Sequence, residues 1–196
     1  MTIAQPIAIR TKLKTRRWTR KEYYRLAALG FFEGQRVELI DGKICQMPAL
    51  NNPHMVAHEK SRRALQNLFG PNYWIRYQGP LHILGSAPEP DLAVVPGGPD
   101  DYKSHPESAL LVLEVSDTTL HIDRWKGGLY AAGGNKDYWI LDLVNRRLEV
   151  RRDPVVDSTV KRFGHRYATV LTLGENQSAS PLALPNASVA VADLLP

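Results

Sequence analysis

The chain has 196 residues, of which 43% are hydrophobic and 23% are charged, a balance that is typical of a soluble globular protein. Its single cysteine, Cys45, excludes an internal disulfide framework and a cysteine-rich zinc site, and it favours a location in the reducing cytoplasm. No apolar run approaches the roughly 20 residues that a membrane span needs, so we expect no membrane partner.

The net charge of +5 is concentrated at the N-terminus of the chain. Residues 1–21 contain seven basic residues and no acidic residue, whereas the other 18 basic and 20 acidic residues sum to −2. We predict a basic, flexible N-terminal arm over residues 1–18 and a single domain over residues 19–196. A basic arm can contact phosphate groups, and it can equally be a solvated tail, which is the interpretation that we favour.

The first predicted elements are a helix and a β-hairpin. Thr19 and the glutamate three residues after it form a capping-box pattern, which predicts the start of a helix. Residues 37–40 alternate in polarity, and residues 41–47 contain a turn sequence and a returning strand, which together predict a hairpin. Glu38 shares a strand face with Ile40. It is therefore a candidate third acid of a site or, alternatively, a salt-bridged surface residue.

A second helix of about 16 residues is predicted after the break at residues 51–53. This helix carries His54 and His58, which lie four residues apart. Histidines at this spacing can share a metal ion, but the sequence shows no third ligand beside them. We therefore interpret His54 as a capping or hydrogen-bonded residue and His58 as a surface residue.

The next stretch contains two predicted strands and a long loop. Residues 73–84 predict a strand with a kink at Gly79-Pro80, and residues 90–95 predict a second apolar strand that opens on Asp91. The loop over residues 96–109 is rich in glycine and proline, and loops of that length are often functional. We expect this loop to lie beside a substrate cleft.

Residues 110–117 predict a strand that is covered on both faces, because only Glu114 and Ser116 interrupt its apolar residues before Asp117. An ionised carboxylate costs several kcal/mol in such a strand unless a cation or hydrogen-bond donors compensate it. If this strand neighbours that of Asp91, two carboxylates lie close together and need a cation between them. Mg²⁺ meets this need, since it takes one or two carboxylates with water and phosphate oxygens. A structural glutamate paired with an arginine or lysine is the alternative.

The helical segment that follows carries the remaining candidate residues. Asp123, Lys126 and Tyr130 are spaced three and four residues apart, so they share one helical face. Two acids, a divalent ion and a lysine suit phosphodiester hydrolysis, in which the ion polarises the phosphate and the lysine stabilises the nucleophile or the developing charge. Because acids and lysines are common, spacing alone does not establish such a site.

Several fragments, in a fixed order along the chain, resemble those of one protein family. They are Val37-Glu38-Leu39-Ile40-Asp41-Gly42, Pro90-Asp91, Leu113-Glu114-Val115-Ser116, Asp123 with Lys126 and Tyr130, and Asp137-Tyr138-Trp139-Ile140. Together they resemble the Uma family of bacterial restriction-endonuclease-like proteins, which belongs to the PD-(D/E)XK nuclease superfamily. The resemblance spans roughly residues 19–151. It extends to His54, which by this resemblance can border the substrate cleft.

The resemblance also implies roles for the candidate residues. Asp91 and Glu114 are expected to bind Mg²⁺ or Mn²⁺, and Lys126 is expected to be the catalytic lysine. The superfamily pattern has its lysine two residues after the second acid, where this chain has Ser116, so a lysine on the following helix takes that place. The supporting residues expected around these three are Glu38, Asp123 and Tyr130.

We therefore predict an α/β fold with a restriction-endonuclease-like core, in which helices flank a mixed central β-sheet. The predicted function is that of a Mg²⁺-dependent endonuclease that hydrolyses phosphodiester bonds in DNA. The alternative is a catalytically inactive nuclease-fold protein that binds nucleic acid or a protein partner. Ser116 favours this alternative, and the pair of carboxylates disfavours it. The resemblance adds a homodimer as an open expectation, because many such nucleases pair to cut two strands.

Overall fold

The chain folds around a six-stranded mixed β-sheet, as seen in a computed structural model that describes residues 15–196. Its elements in chain order are α1 (Arg20–Ala28), β1 (Val37–Ile40), β2 (Lys43–Gln46), α2 (Asn52–Phe69), β3 (Tyr73–Tyr77), β4 (Leu92–Pro96), β5 (Leu111–Ser116), α3 (Leu120–Ala132), β6 (Asp137–Asp142), β7 (Arg147–Val156), β8 (His165–Gly174), β9 (Ser178–Ala179), β10 (Val189–Ala190) and α4 (Val191–Leu194). A short 3₁₀ helix at Pro99–Asp101 lies between β4 and β5.

The sheet has the strand order β3-β4-β5-β6-β7-β8. All neighbouring strands run antiparallel except β5 and β6, which pair in parallel and are joined by α3. Parallel neighbours need such a crossover, because a tight turn cannot return the chain to the same end of the sheet. The mixed sheet with flanking helices confirms the predicted α/β fold class.

Helices cover both faces of the sheet. Leu113 and Val115 of β5 belong to a core cluster with Leu65 of α2, whereas Val112 belongs to a second cluster with Leu129 of α3. Alternate side chains of a strand point to opposite faces, so β5 is buried along its whole length. This confirms that the strand is covered on both sides, and it leaves Glu114 facing α3.

The β1–β2 hairpin docks beside the sheet and carries Glu38. Asp41 and Gly42 at its turn have φ angles of 49° and 69°, and a two-residue hairpin turn of this type requires positive φ at both positions. Leu39 pairs with Ala87 in an isolated antiparallel bridge, which ties the hairpin to the segment that leads into β4. The predicted hairpin is present, and its docking brings Glu38 toward Asp91.

The predicted capping box of α1 is also present. The Glu22 amide donates to Thr19 Oγ1 at 3.2 Å, and the Thr19 amide donates to Glu22 Oε2 at 2.9 Å. Residues 1–14 of the predicted arm lie outside the described residues. Next to α1, the Trp18 amide donates to Gly42 O at 2.8 Å, so this end of the predicted arm lies along the hairpin turn.

The prediction of one kinked strand over residues 73–84 is wrong. The strand ends at Tyr77, because Gln78 adopts a φ of 44° and turns the chain away from the sheet. Leu81 and Ile83 are buried in the cluster beneath α3, so the apolar pattern that suggested a strand comes from core packing in a loop. None of the helices in residues 15–196 combines the length and apolar character that crossing a membrane requires.

Candidate active site

Asp91 and Glu114 lie side by side where β4 begins. The antiparallel register pairs Leu92 with Leu113, which brings the residue before β4 next to Glu114 of β5. The Asp91 amide donates to Glu114 Oε2 at 3.1 Å, and the Val115 amide donates to Asp91 Oδ2 at 2.8 Å. Both side chains are buried. The two strands are neighbours, so the condition under which the sequence places the two carboxylates close together is met.

Lys126 of α3 lies between two carboxylates. Its Nζ is 2.7 Å from Glu114 Oε1 and 3.3 Å from Glu38 Oε2, and the residue is only 4% exposed. Burial lowers the pKa of Lys126, but the carboxylates of Glu114, Glu38 and Asp123 outweigh burial and hold that pKa well above its ordinary value. Lys126 is therefore a fixed positive charge of the site.

Tyr130 and Asp123 complete the predicted helical face. Tyr130 donates its hydroxyl to Glu114 Oε1 at 2.8 Å, and burial beside this carboxylate raises the pKa of Tyr130 well above its ordinary value. Asp123 Oδ2 accepts a hydrogen bond from Thr119 Oγ1 at 2.9 Å. Burial raises the pKa of Asp123, although Lys126 opposes this effect. Ser116 Oγ is buried and has no hydrogen-bond partner among residues 15–196.

His54 is the residue of the site that sequence reasoning undervalued. It lies in the first turn of α2, where Asn51 is the N-cap and accepts the His54 amide at 3.0 Å, so His54 is not itself the capping residue. Its Nε2 is 3.3 Å from Asp91 Oδ2. Burial lowers the pKa of His54, but Asp91 outweighs burial and raises it overall. Burial raises the pKa of Asp91, but His54 outweighs burial and lowers it overall, so each residue favours the charged form of the other.

His58 was expected at the surface, and this expectation is wrong. The residue is 7% exposed, and its Nε2 donates to the backbone carbonyl of Asp91 at 3.1 Å. His58, Ser61 and Leu65 follow one another at intervals of three and four residues and are all buried, which places them on the face of α2 that packs on the sheet. His58 therefore holds the backbone of Asp91, while His54 holds its side chain.

The candidate residues open into a cavity of about 240 Å³. Its charged lining consists of four acids, two basic residues and one histidine: Glu38, Asp91, Glu114, Asp123, Arg36, Lys126 and His54. Apolar residues such as Ile122 and the 38% exposed Trp125 form part of its wall. Burial raises the pKa of Glu114, and Lys126 offsets this only in part. Glu114 therefore binds a proton more readily than an ordinary glutamate, and the acids of the cavity are not all fixed negative charges.

The lining residues fit a cation that the protein binds through two carboxylates. Among residues 15–196, no group of three or more His, Cys, Asp or Glu side chains is arranged to hold a metal ion. Mg²⁺ does not need such an enclosure, since it keeps several waters and binds through one or two carboxylates and substrate phosphates. Asp91 Oδ1 accepts no hydrogen bond from the described residues, and Glu114 lines the same cavity.

The family of the chain follows from comparison with known proteins. The family model of Uma2, described as "Putative restriction endonuclease", matches residues 20–192. The chain belongs to the Uma2 family. A crystal structure described as a "putative nuclease belonging to DUF820", from Anabaena variabilis, shares its fold with a TM-score of 0.67 and 14% sequence identity, over 90% of this chain and 96% of that one. Among curated proteins, none matches the sequence.

In this Uma2-family chain, the structure brings together all the residues that the sequence singled out. They are Glu38, Asp91, Glu114, Asp123, Lys126 and Tyr130. The loop over residues 96–109 is the exception, because none of its residues lines the cavity. Asp91 precedes β4 and the loop follows it, so they lie at opposite ends of that strand. The roles of the six residues remain predictions.

Proposed function

We propose that this Uma2-family protein is an endonuclease that hydrolyses phosphodiester bonds in DNA with Mg²⁺ or Mn²⁺. One observation carries the proposal: Asp91 and Glu114 are hydrogen-bonded neighbours that line one cavity, with Lys126 Nζ 2.7 Å from Glu114 Oε1. The two acids would hold the ion. When bound, such an ion polarises the phosphate and lowers the pKa of a water molecule.

The other residues would prepare this pair for its task. Lys126 retains its proton, so its role is to stabilise negative charge as a hydrogen-bond donor rather than to remove a proton from water. Tyr130 and Lys126 both bond to Glu114 Oε1, which fixes the orientation of this carboxylate. His54 and the Val115 amide bond to Asp91 Oδ2, which leaves Oδ1 as the oxygen without a partner in the described residues.

A basic surface next to the cavity supports a nucleic acid substrate. Trp125 lines both the catalytic cavity and a neighbouring pocket of about 400 Å³ that includes Arg124, Lys161 and Arg162. The guanidinium of Arg162 lies over the Trp125 ring, 5.2 Å from its centre. Basic side chains provide most contacts to the phosphate backbone, and an exposed aromatic ring can stack on a base. A strand bound here would place a phosphate near Asp91.

The experiment is metal-dependent cleavage of a mixed set of DNA substrates, paired with calorimetry of Mn²⁺ binding. Asp91→Asn and Glu114→Gln are expected to lose Mn²⁺ binding and to cut at least about 10³-fold more slowly. Lys126→Met is expected to retain Mn²⁺ and to lose cleavage to a similar extent. Asp100→Asn, an acid outside the cavity, is the matched control and is expected to match wild type. A wild type that neither binds Mn²⁺ nor cuts contradicts the proposal.

The second candidate is a catalytically inactive nuclease-fold protein that binds nucleic acid. Two observations favour it. The Lys126 ammonium is buried and already paired with two carboxylates, and Ser116 occupies the position where the superfamily pattern has its lysine. For this candidate we expect DNA binding that retains the intact strand, with Mn²⁺ bound but no product in any substrate. Cleavage that is lost in Asp91→Asn excludes it.

A further inference from the structure

A second pocket, of about 370 Å³, lies beside β3 at the edge of the sheet and shares no lining residue with the catalytic cavity. Arg76 of β3 pairs with Ala93 of β4, and cross-strand partners share a face of the sheet. Ala93 lies two residues after Asp91, so Arg76 points to the face that carries the acids. The loop that was expected to border the catalytic cavity lines this pocket instead.

Arg76 is a buried cation that lacks an acidic partner. The residue is 5% exposed, and within residues 15–196 no Asp or Glu oxygen lies within 4.0 Å of its guanidinium. Its Nη1 donates to Pro80 O at 3.0 Å, its Nη2 contacts His105 Nδ1 at 3.1 Å, and its Nε is buried without a partner. A guanidinium has five N–H donors, so several remain available. Burial of an uncompensated charge is costly, which indicates that an anion completes this site.

The other residues of the pocket also suit an anion. None of its lining residues is acidic, and the exposed Lys103 adds a second positive charge. The nearby Asp101 accepts a hydrogen bond from the Gly98 amide at 2.8 Å, so it is engaged within its own loop. Trp74 lies beneath the Arg76 guanidinium at 5.0 Å and lies 5.8 Å from the ring of Tyr102. The pocket thus combines two cations with two aromatic rings.

We propose that the Arg76 pocket binds a phosphate group of a nucleic acid strand, separate from the phosphate that reacts. The planar fork of an arginine matches two phosphate oxygens, and Lys103 adds a further charged donor. Trp74 and Tyr102 give a neighbouring base a stacking surface, as in proteins that bind single strands. The nucleic acid source of the phosphate rests on the proposed function, whereas the pocket's affinity for phosphate does not.

The test measures binding of two probes, inorganic phosphate and a short single-stranded DNA oligonucleotide, in EDTA so that no metal-dependent cleavage occurs. Arg76→Met is expected to weaken both by about 10-fold or more, and Lys103→Ala by about 3-fold, because each removes a charge from the pocket. In ¹⁵N-labelled protein, the Arg76 Nε–H resonance is expected to shift on phosphate addition. Lys136→Ala, which removes an exposed lysine elsewhere, is expected to bind both probes as wild type does.

The outcomes test the phosphate pocket independently of whether the protein cleaves DNA. If Arg76→Met and Lys103→Ala, folded by circular dichroism, bind phosphate as wild type does, the phosphate site is refuted. If they lose phosphate but keep oligonucleotide affinity, the pocket takes free phosphate and the strand assignment is wrong. A wild type that cuts no DNA but binds phosphate through Arg76 overturns the nuclease function and supports this pocket.

Discussion

Two pockets on the same face of the sheet differ in how their charges are balanced. In the cavity at Asp91 the central charged groups lie beside groups of opposite sign: Lys126 is close to Glu114 and Glu38, and His54 is close to Asp91. In the second pocket, the contacts of the Arg76 guanidinium within residues 15–196 are a carbonyl, an imidazole and an aromatic ring. The central charges of the first site are therefore compensated within the protein. The second has an excess of positive charge that its own residues do not neutralise.

The comparison indicates that a buried cation affects the stability of the fold in opposite directions in the two pockets. A buried lysine between carboxylates stabilises the fold, since its removal leaves two anions unpaired. A buried arginine without an anion contributes little or costs stability, and it is retained for binding. Substitution of each cation by an uncharged residue of similar length therefore separates a structural charge from a ligand-binding charge.

The largest effect is expected from Lys126→Met. Loss of the ammonium leaves Glu114 and Glu38 buried without a cation, so the free energy of unfolding should fall by about 3–5 kcal/mol at pH 7. Urea unfolding followed by circular dichroism measures this. Lys136→Met, at an exposed lysine, is the control and should change stability by no more than about 0.5 kcal/mol. A loss below about 1 kcal/mol for Lys126→Met contradicts the assignment of Lys126 as the compensating charge.

A smaller effect is expected from Tyr130→Phe, which removes one hydrogen bond to Glu114 but leaves Lys126 in place. Because this bond is buried and its acceptor is charged, we expect a loss of about 1–2 kcal/mol in urea unfolding. Tyr77→Phe provides the control, since Tyr77 is 63% exposed and should change stability by less than about 0.5 kcal/mol. Equal effects of the two substitutions mean that the Glu114 contact does not stabilise the fold.

The pH dependence of stability tests the positive character of the second pocket. Burial, together with Arg20, His105 and Arg76, lowers the pKa of His82 from 6.5 to about 4. Between these values the unfolded chain binds more protons than the folded one, so this contribution to stability falls as the pH drops from 6.5 to 4. Because His82 is partly exposed, solvent screening reduces the effect to about 1 kcal/mol.

The measurement is urea unfolding of wild type and His82→Gln at pH 7.5 and pH 4.5. Wild type is expected to lose about 1 kcal/mol more than His82→Gln on acidification, because the glutamine has no proton to gain. His121→Gln, at an exposed position, is expected to follow wild type. Parallel curves for wild type and His82→Gln show that the pocket does not oppose protonation of His82.

The smallest effect is expected from Arg76→Met. This substitution removes the bonds to Pro80 O and His105 but also removes a buried charge without an acidic partner. The two contributions offset each other, so stability should stay within about 1 kcal/mol of wild type. Urea unfolding in a phosphate-free buffer measures the difference. A loss above about 2 kcal/mol places Arg76 with Lys126 as a structural cation and removes the contrast between the two pockets.

Local patterns in the sequence were sufficient to predict much of the fold. Three short-range signals each correspond to an observed element. They are the capping box at Thr19, the turn at Asp41-Gly42 and the strand around Glu114 that is apolar on both faces. The pair Asp91 and Glu114 could be predicted because one acid opens an apolar strand and the other interrupts one. Polar groups in such strands need partners, so their proximity follows from physical chemistry as well as from family resemblance.

The features that sequence reasoning missed depend on packing between distant elements. His58 is buried because α2 turns that face onto the sheet, and a single polar residue on a helix does not show which way the helix is rotated. Arg76 lies among aromatic residues in β3 that resemble an ordinary core strand. The position of the loop after β4 could have been predicted. At about 3.3 Å per residue, the five residues of β4 separate it from Asp91 by roughly 17 Å.

The crossover from β5 through α3 to β6 also determines when the site assembles. Glu114 and Lys126 are 12 residues apart in the chain, whereas Glu38 joins Lys126 across 88 residues. The entropy lost on closing a loop grows with its length, so we expect the strand–helix unit to form its ion pair before the hairpin docks. In a nascent chain, the pair of Lys126 and Glu114 is therefore expected to form before the β1–β2 hairpin closes the cavity. If the proposed nuclease function is correct, we expect activity only after the hairpin has docked.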